Sequence, residues 1–86
     1  MITVVKRDGK KEVPYSVGKV QKAISNAFAD TDNKMPNWIV DEVDKAIHKT
    51  GKEKIQVEEI QDIVEDILMD SPFKKEAKEY IRWRGK

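Results

Sequence analysis

The sequence of 86 residues contains no cysteine. This absence excludes a disulfide, a thiolate zinc site, an iron–sulfur cluster and a cysteine nucleophile within it, and the expected location is the cytoplasm because nothing points to oxidising secretion. No apolar run approaches the roughly 20 residues that a membrane-spanning helix needs, so no membrane association is expected. The only histidine, His48, has no nucleophile motif to accompany it and is predicted to lie on the surface of a helix.

The sequence contains neither a complete glycine-rich phosphate-binding loop nor a cluster of metal ligands that would indicate a catalytic site. Thr50-Gly51-Lys52 has the ending of a phosphate-binding P-loop, but the position where the pattern needs its earlier glycine is Ala46. The acidic residues of the third predicted helix fall mostly opposite its apolar stripe, where they do not converge on a cation. They are Glu58, Glu59, Asp62, Glu65, Asp66 and Asp70. We therefore predict no catalytic residue and no metal ligand.

The charges are strongly segregated although the formal net charge is only +1. Residues 1–34 carry seven basic and four acidic side chains, residues 35–71 carry four and ten, and residues 72–86 carry six and two. The corresponding net charges are +3, −6 and +4. Such asymmetry often has a functional cause. Two interpretations of the acidic middle stay open, namely solvated helix faces or a surface that meets a partner, including a second copy of the chain.

Two β-rich runs near the start of the chain predict a hairpin. The runs cover residues 2–7 and 11–15 and flank Asp8-Gly9, which favours a tight turn because glycine accepts a positive φ without a steric clash. A third, very short extended segment is predicted at 55–57. A hairpin of this size is not stable alone, so it must pack on other elements.

Four amphipathic helices are predicted from apolar residues at helical spacing. The first begins after the cap residue Ser16, and the second ends before Gly51. The third begins at Val57, and the fourth has Ser71 as its N-cap with Pro72 in its first position. The expected apolar faces include Trp38 in the second helix and Phe73, Ala77, Tyr80 and Ile81 in the fourth. The predicted fold class is α+β, a four-helix bundle covered by the hairpin.

Cations gather at both ends of the chain. Lys6, Arg7, Lys10 and Lys11 surround the hairpin turn, and further cations follow in the first and last helices. If the hairpin covers the bundle, these charges converge on one cleft that suits a triphosphate. The alternative is scattered solubilising lysine. Because successive strand residues face opposite sides, Lys6 and Arg7 can serve one ligand only where the strand twists or ends.

A nucleic-acid partner is not expected. Arg82-Trp83-Arg84 mixes cations with an aromatic ring, as nucleic-acid interfaces often do. The acidic middle segment offsets the basic ends, however, and no predicted helix is basic along its length.

Three blocks of the sequence together resemble the ATP-cone domain. The first is Val4-Val5-Lys6-Arg7-Asp8-Gly9, continued by Val13-Pro14-Tyr15 and Lys19-Val20. The second runs from Val57 to Glu65, and the third from Ala77 to Arg84. They occur in the family's order and cover nearly the whole chain, so residues 1–86 are expected to form one ATP-cone domain.

The resemblance implies a four-helix bundle covered by a small three-stranded mixed sheet, with ATP or dATP bound between sheet and helices. Mg²⁺ is an optional companion of the phosphates. Such domains are non-catalytic allosteric modules, chiefly at the N-terminus of ribonucleotide reductases, so the expected partner is a reductase catalytic domain. Met1 shortly before the signature fits a domain that begins its parent protein, and the expected parent is an anaerobic reductase. A transcriptional repressor is less favoured because its zinc ribbon needs cysteines before the cone. The alternative function is a protein-interaction or nucleic-acid-binding regulatory module.

The resemblance also assigns nucleotide-binding roles to residues of this sequence. Lys6 and Arg7 match the basic pair at the phosphates, Val5 and Val20 match apolar positions beside the base, and Glu12 and Lys19 match polar positions near base and sugar. Val57 and Gln61 match positions that approach the phosphates from the third helix, and Arg84 matches a basic position at the end of the domain. Relatives carry Thr and His where this sequence has Val57 and Gln61, so weaker phosphate contacts are expected from that helix.

Overall fold

The computed structural model describes residues 1–85, and in this range it contains four helices and one three-stranded sheet. The strands are β1 (Thr3–Val5), β2 (Glu12–Pro14) and β3 (Lys54–Gln56). The helices are α1 (Val17–Phe28), α2 (Asn37–Lys49), α3 (Val57–Asp70) and α4 (Lys74–Arg84). The predicted α+β class, with a four-helix bundle and a mixed sheet, is confirmed. None of the helices described is long and apolar enough to cross a membrane.

The sheet has β1 at its centre, antiparallel to β2 and parallel to β3. The turn after β1 is stabilised by Asp8, whose carboxylate accepts the backbone N–H groups of Lys10 at 2.9 Å and Lys11 at 3.2 Å. These two hydrogen bonds lower the pKa of the Asp8 carboxyl below its ordinary value. Gly9 has a φ of 71°, as the Asp-Gly signal predicts. The strand ends at Val5, earlier than the β-rich run suggests, because the chain enters this turn at once.

The helices form a ring in which α1 contacts α2 and α4, and α3 contacts the same two helices. Their apolar faces meet in a core whose fully buried members include Ile24, Ile39, Val43, Ile47 and Leu68. Burying each such side chain contributes about 1.5–3 kcal/mol. The central strand and β3 place Val4 and Ile55 on this same core, so the sheet is held on the bundle by apolar contact.

The end of α2 follows the sequence prediction. Gly51 has a φ of 70°, in the left-handed region that favours glycine, and its N–H donates to the His48 carbonyl at 3.2 Å. The His48 side chain is 58% exposed, which confirms a surface position. Trp38 was expected on the apolar face but is 48% exposed. It lies at the edge of the bundle, where its ring is 6.5 Å from that of Phe73.

The predicted start of the fourth helix is wrong. The N-cap of α4 is Phe73, and the Ser71 hydroxyl instead donates to the Leu68 carbonyl at 2.6 Å and accepts from the Phe73 N–H at 3.1 Å. Ser71 therefore ends α3, because the free carbonyls of that helix need donors. The buried face of α4 also differs, since Ile81 is 38% exposed whereas Glu76 is fully buried.

Candidate functional site

A cleft of about 190 Å³ lies between the sheet and helices α1, α3 and α4. Its walls are mainly apolar and aromatic, and polar side chains stand at its edge. The apolar and aromatic residues include Val4, Val13, Tyr15, Val20, Ala23, Val57, Ile60, Val64, Tyr80 and Trp83, and the polar ones include Lys6, Lys19 and Gln61. A ligand with a flat, weakly polar ring fits such walls.

A second, more open groove of about 520 Å³ adjoins the cleft at the hairpin. The charged residues Lys6, Arg7, Asp8 and Lys11 line it together with Val57 and Gln61 of α3. The two adjacent residues Lys6 and Arg7 both reach this groove because β1 ends at Val5, which satisfies the condition set by strand alternation.

The N-terminus of α3 forms one end of this groove. Val57 is its first helical residue, and no side chain caps the helix in residues 1–85. The backbone N–H groups of a first turn attract anions, and the helix dipole adds to that attraction. The first turn also carries two carboxylates, Glu58 and Glu59, and the charge of Glu59 is paired with Lys52 at 2.7 Å. The groove thus combines three cations and the single carboxylate of Asp8 with a helix N-terminus, and this excess of positive charge suits an anion such as phosphate.

Arg7 is held by hydrogen bonds to α3 and α4. Its Nη2 donates to Gln61 Oε1 at 3.2 Å and to the Arg84 carbonyl oxygen at 2.8 Å. Both acceptors are uncharged, so a phosphate would be a stronger partner for the guanidinium.

Arg84 is occupied by carboxylates of α3. Its Nη1 lies 2.9 Å from Asp62 Oδ1 and 3.2 Å from Glu65 Oε1, and its side chain is only 17% exposed. Burial alone would lower the pKa of Arg84, but the two carboxylates outweigh burial and raise it. Arg84 lines a depression beside the groove with Arg7, Gln61 and Trp83, and its main effect there is to hold α4 on α3.

Seven of the nine residues assigned from the resemblance line the cleft, the adjoining groove or the depression beside it. They are Lys6, Arg7, Lys19, Val20, Val57, Gln61 and Arg84. The other two, Val5 and Glu12, line none of these three spaces. Val5 is buried outside the main core cluster, and Glu12 forms an ion pair with Lys54 at 3.2 Å.

The aromatic wall of the cleft and Val4 were missed as site residues. Strand alternation could have found Val4, because residues two apart in a strand share a face and Lys6 follows it by two. Tyr15 donates its hydroxyl to Asp44 Oδ1 at 2.6 Å, and burial together with this hydrogen bond raises the pKa of the phenol. Burial raises the pKa of Tyr80 to about 12. Both phenols are therefore neutral at physiological pH.

An apolar cleft that opens onto a cationic groove at a helix N-terminus has the shape and charge that suit a nucleotide, with a flat base and anionic phosphates. The family model for the ATP cone domain matches residues 2–86. The chain belongs to the ATP-cone family, and it is a nucleotide-binding regulatory domain.

Three relatives illustrate where such a segment occurs. The chain is 37% identical over 84 residues to a 2-phosphoglycerate kinase of Pyrococcus furiosus, covering 98% of this chain and 27% of that protein. It is 40% identical over 89 residues to a vitamin B12-dependent ribonucleoside-diphosphate reductase of Thermoplasma acidophilum, covering 96% and 12%. It is 31% identical over 96 residues to a ribonucleoside-diphosphate reductase subunit alpha of Chlamydia pneumoniae, covering 95% and 9%. The chain thus spans about a quarter or less of the length of these relatives.

Proposed function

We propose that this chain binds ATP or dATP as an allosteric effector, with the base in the apolar cleft and the phosphates in the adjoining groove. The observation that carries the proposal is that Lys6 and Arg7 meet the N-terminus of α3 directly beside that cleft. Lys6 lines both spaces, so one extended ligand can occupy the two together. Val20 then lies beside the base, and Lys19 lies between base and phosphates.

Mg²⁺ would accompany the phosphates. Among residues 1–85 no group of three or more acidic or histidine side chains is arranged to hold a metal ion. A Mg²⁺ ion at this site would therefore take most of its ligands from the triphosphate and from water, which is common for nucleotide-bound magnesium.

Regulation requires that the nucleotide prefers one of two states of the protein. Arg7 offers a physical basis, since it links the hairpin to Gln61 and to the Arg84 carbonyl. A phosphate that takes over Arg7 would weaken these links and change how the hairpin sits on α3 and α4. The domain performs no catalysis by itself in this proposal.

The parent protein is a further part of the proposal. We place the domain in a ribonucleotide reductase, of the anaerobic class, with the reductase catalytic domain as its partner. The reductase relatives support a reductase parent, whereas the kinase relatives offer a different parent. The sequence that adjoins this segment in its full reading frame tests which parent is correct. A kinase catalytic domain there would contradict the proposal, and an anaerobic reductase domain would support it.

Isothermal titration calorimetry with ATP and dATP tests nucleotide binding. The Lys6→Ala/Arg7→Ala double variant should lose at least about tenfold in affinity, since about 1.4 kcal/mol corresponds to tenfold. The matched control is Lys45→Ala/Lys49→Ala, which removes the same charge from exposed positions of α2. If native protein fails to bind either nucleotide at millimolar concentration, the domain is better regarded as a protein- or nucleic-acid-interaction module.

A further inference from the structure

Trp83 lies where the cleft and the phosphate side of the site meet. It lines the apolar cleft together with Val20 and Val57, and it also lines the depression formed by Arg7, Gln61 and Arg84. The residue is nevertheless 44% exposed. The exposed part of the Trp83 side chain is therefore accessible to a ligand that enters the cleft.

Trp83 packs against a buried neighbour at the end of α4. It stands in the last turn of α4, beside Arg84, whose guanidinium is held by two carboxylates of α3. Its ring is 5.6 Å from that of Tyr80 at an interplanar angle of 38°, and Tyr80 is only 2% exposed. The indole is thus supported from the core and open toward the cleft and solvent. A ring that already packs against a buried neighbour loses less freedom when a ligand stacks on it than an unsupported ring does.

The other aromatic residues of the cleft are less available. Tyr80 is buried, and Tyr15 is partly buried with its hydroxyl bound to Asp44 at 2.6 Å. Within residues 1–85, Trp83 is therefore the one exposed aromatic side chain that lines the cleft.

We propose that Trp83 is the base-recognition residue of this domain, on which the purine ring stacks while Lys6 and Arg7 hold the phosphates. This inference rests on the proposed nucleotide-binding function and adds a specific residue to it. Stacking of a base on an aromatic side chain strengthens binding by about 5- to 150-fold. Because stacking acts on the base alone, its loss should not affect the binding of a ligand that consists only of phosphates.

Tryptophan fluorescence reports this contact directly. The chain has two tryptophans, so Trp38→Phe leaves Trp83 as the single reporter. Trp38 lies on α2, next to Phe73 and outside the linings of the cleft and the groove beside it. Titration of this variant with ATP should quench the emission, whereas inorganic triphosphate should quench it far less. Equal quenching by the two ligands, or none by ATP while calorimetry shows that ATP binds, would overturn the inference.

Substitution gives an independent measurement. Calorimetry should show that Trp83→Leu weakens ATP binding by about 5- to 150-fold and leaves inorganic triphosphate binding within twofold, whereas Trp83→Phe restores most of the ATP affinity. Trp38→Leu is the control for loss of an exposed indole. If ATP affinity of Trp83→Leu stays within twofold while Lys6→Ala/Arg7→Ala abolishes it, the role of Trp83 is wrong and the nucleotide site stands. If the native chain binds no nucleotide, both the role of Trp83 and the proposed nucleotide site are wrong. Should Trp83→Leu not fold, the fluorescence experiment decides, because its protein retains Trp83.

Discussion

Arg7 and Gln61 are 54 residues apart in the chain and are joined by a hydrogen bond of 3.2 Å between Arg7 Nη2 and Gln61 Oε1. The bond connects the hairpin turn to the first turns of α3, at the place where the cationic groove meets the cleft. The same nitrogen also donates to the Arg84 carbonyl oxygen at 2.8 Å, so one guanidinium links three segments. A nucleotide phosphate must compete with these neutral acceptors for Arg7.

The first prediction concerns the end of α3. The Val57→Thr/Gln61→His variant provides a hydroxyl and an imidazole where the native side chains offer neither, and it removes the amide that holds Arg7. Each new hydrogen bond to a charged phosphate should contribute about 1.5 kcal/mol, which is about tenfold in the calorimetric Kd for ATP. The control is Val17→Thr, which changes the exposed first residue of α1 in the same way. Unchanged or weaker binding would mean that the phosphates do not reach α3.

The second prediction concerns the ion pairs of Arg84. Arg84→Ala should lower the free energy of unfolding by about 1–2 kcal/mol, because it leaves two carboxylates of α3 without their cation and loosens α4. Arg82→Ala is the control, since its side chain is 76% exposed and its ion pair with Glu79 should contribute less than about 0.5 kcal/mol. Urea unfolding measures both. Equal losses in the two variants would show that the Arg84 ion pairs do not stabilise the fold.

Sequence patterns predicted the fold well where one physical requirement dominates. The helical spacing of Ile24 and Phe28, the positive φ at Gly9 and the end of α2 at Gly51 each have a single cause, and each is confirmed. The start of α4 was wrong because the Ser71 hydroxyl can satisfy either of two helix ends. Which end it serves depends on how α3 and α4 pack, and that information is not local in the sequence.

The candidate site could be predicted from the sequence only in part, because some of it depends on contacts between distant segments. The family resemblance indicated Lys6 and Arg7, whereas strand alternation spoke against a shared ligand, and the early end of β1 allows both to face one groove. Trp83 was noticed only as part of a basic motif. Its place at the cleft depends on the contact between α1 and α4, which brings distant segments together. Glu12 meets Lys54 because β3 joins the sheet, a pairing that local sequence does not reveal.

The third prediction compares two glycines. Gly51→Ala should lower stability by about 1–2 kcal/mol, because its φ of 70° is costly for any residue with a Cβ, although nothing lies within 4 Å of the added atom. Gly18→Ala should raise stability by about 0.5–1 kcal/mol, because alanine is the better residue inside α1 and its Cβ would meet only Ser16 Oγ at 3.4 Å. The midpoint of thermal unfolding should therefore fall for Gly51→Ala and rise for Gly18→Ala. A shift in the same direction for both variants would contradict this account.

The fourth prediction concerns the pH dependence of stability through Glu76, which is fully buried in the first turn of α4. Asn33 of the loop between α1 and α2 donates to its Oε2 at 3.2 Å. Glu76 Oε1 is buried without a hydrogen-bond partner among residues 1–85. Burial alone would raise the pKa of Glu76, but the polar groups around the carboxylate, including Asn33, outweigh burial and lower it. The unfolded chain therefore binds this proton more readily than the folded chain does. It follows that the contribution of Glu76 to stability is present above pH 4.5, the ordinary value, and is lost as the pH falls through the lower folded pKa.

Glu76→Gln tests this linkage because the amide keeps the shape of the side chain and does not titrate. The variant should be less stable than the native chain at pH 7 by about 1–3 kcal/mol, since a hydrogen-bonded carboxylate is lost. Its urea-unfolding free energy should also fall less steeply than the native value as the pH is lowered below 4.5. Glu58→Gln, at an exposed position in the first turn of α3, is the matched control. Parallel pH profiles for native and Glu76→Gln protein would show that this carboxylate does not link the α1–α2 loop to α4 through its charge.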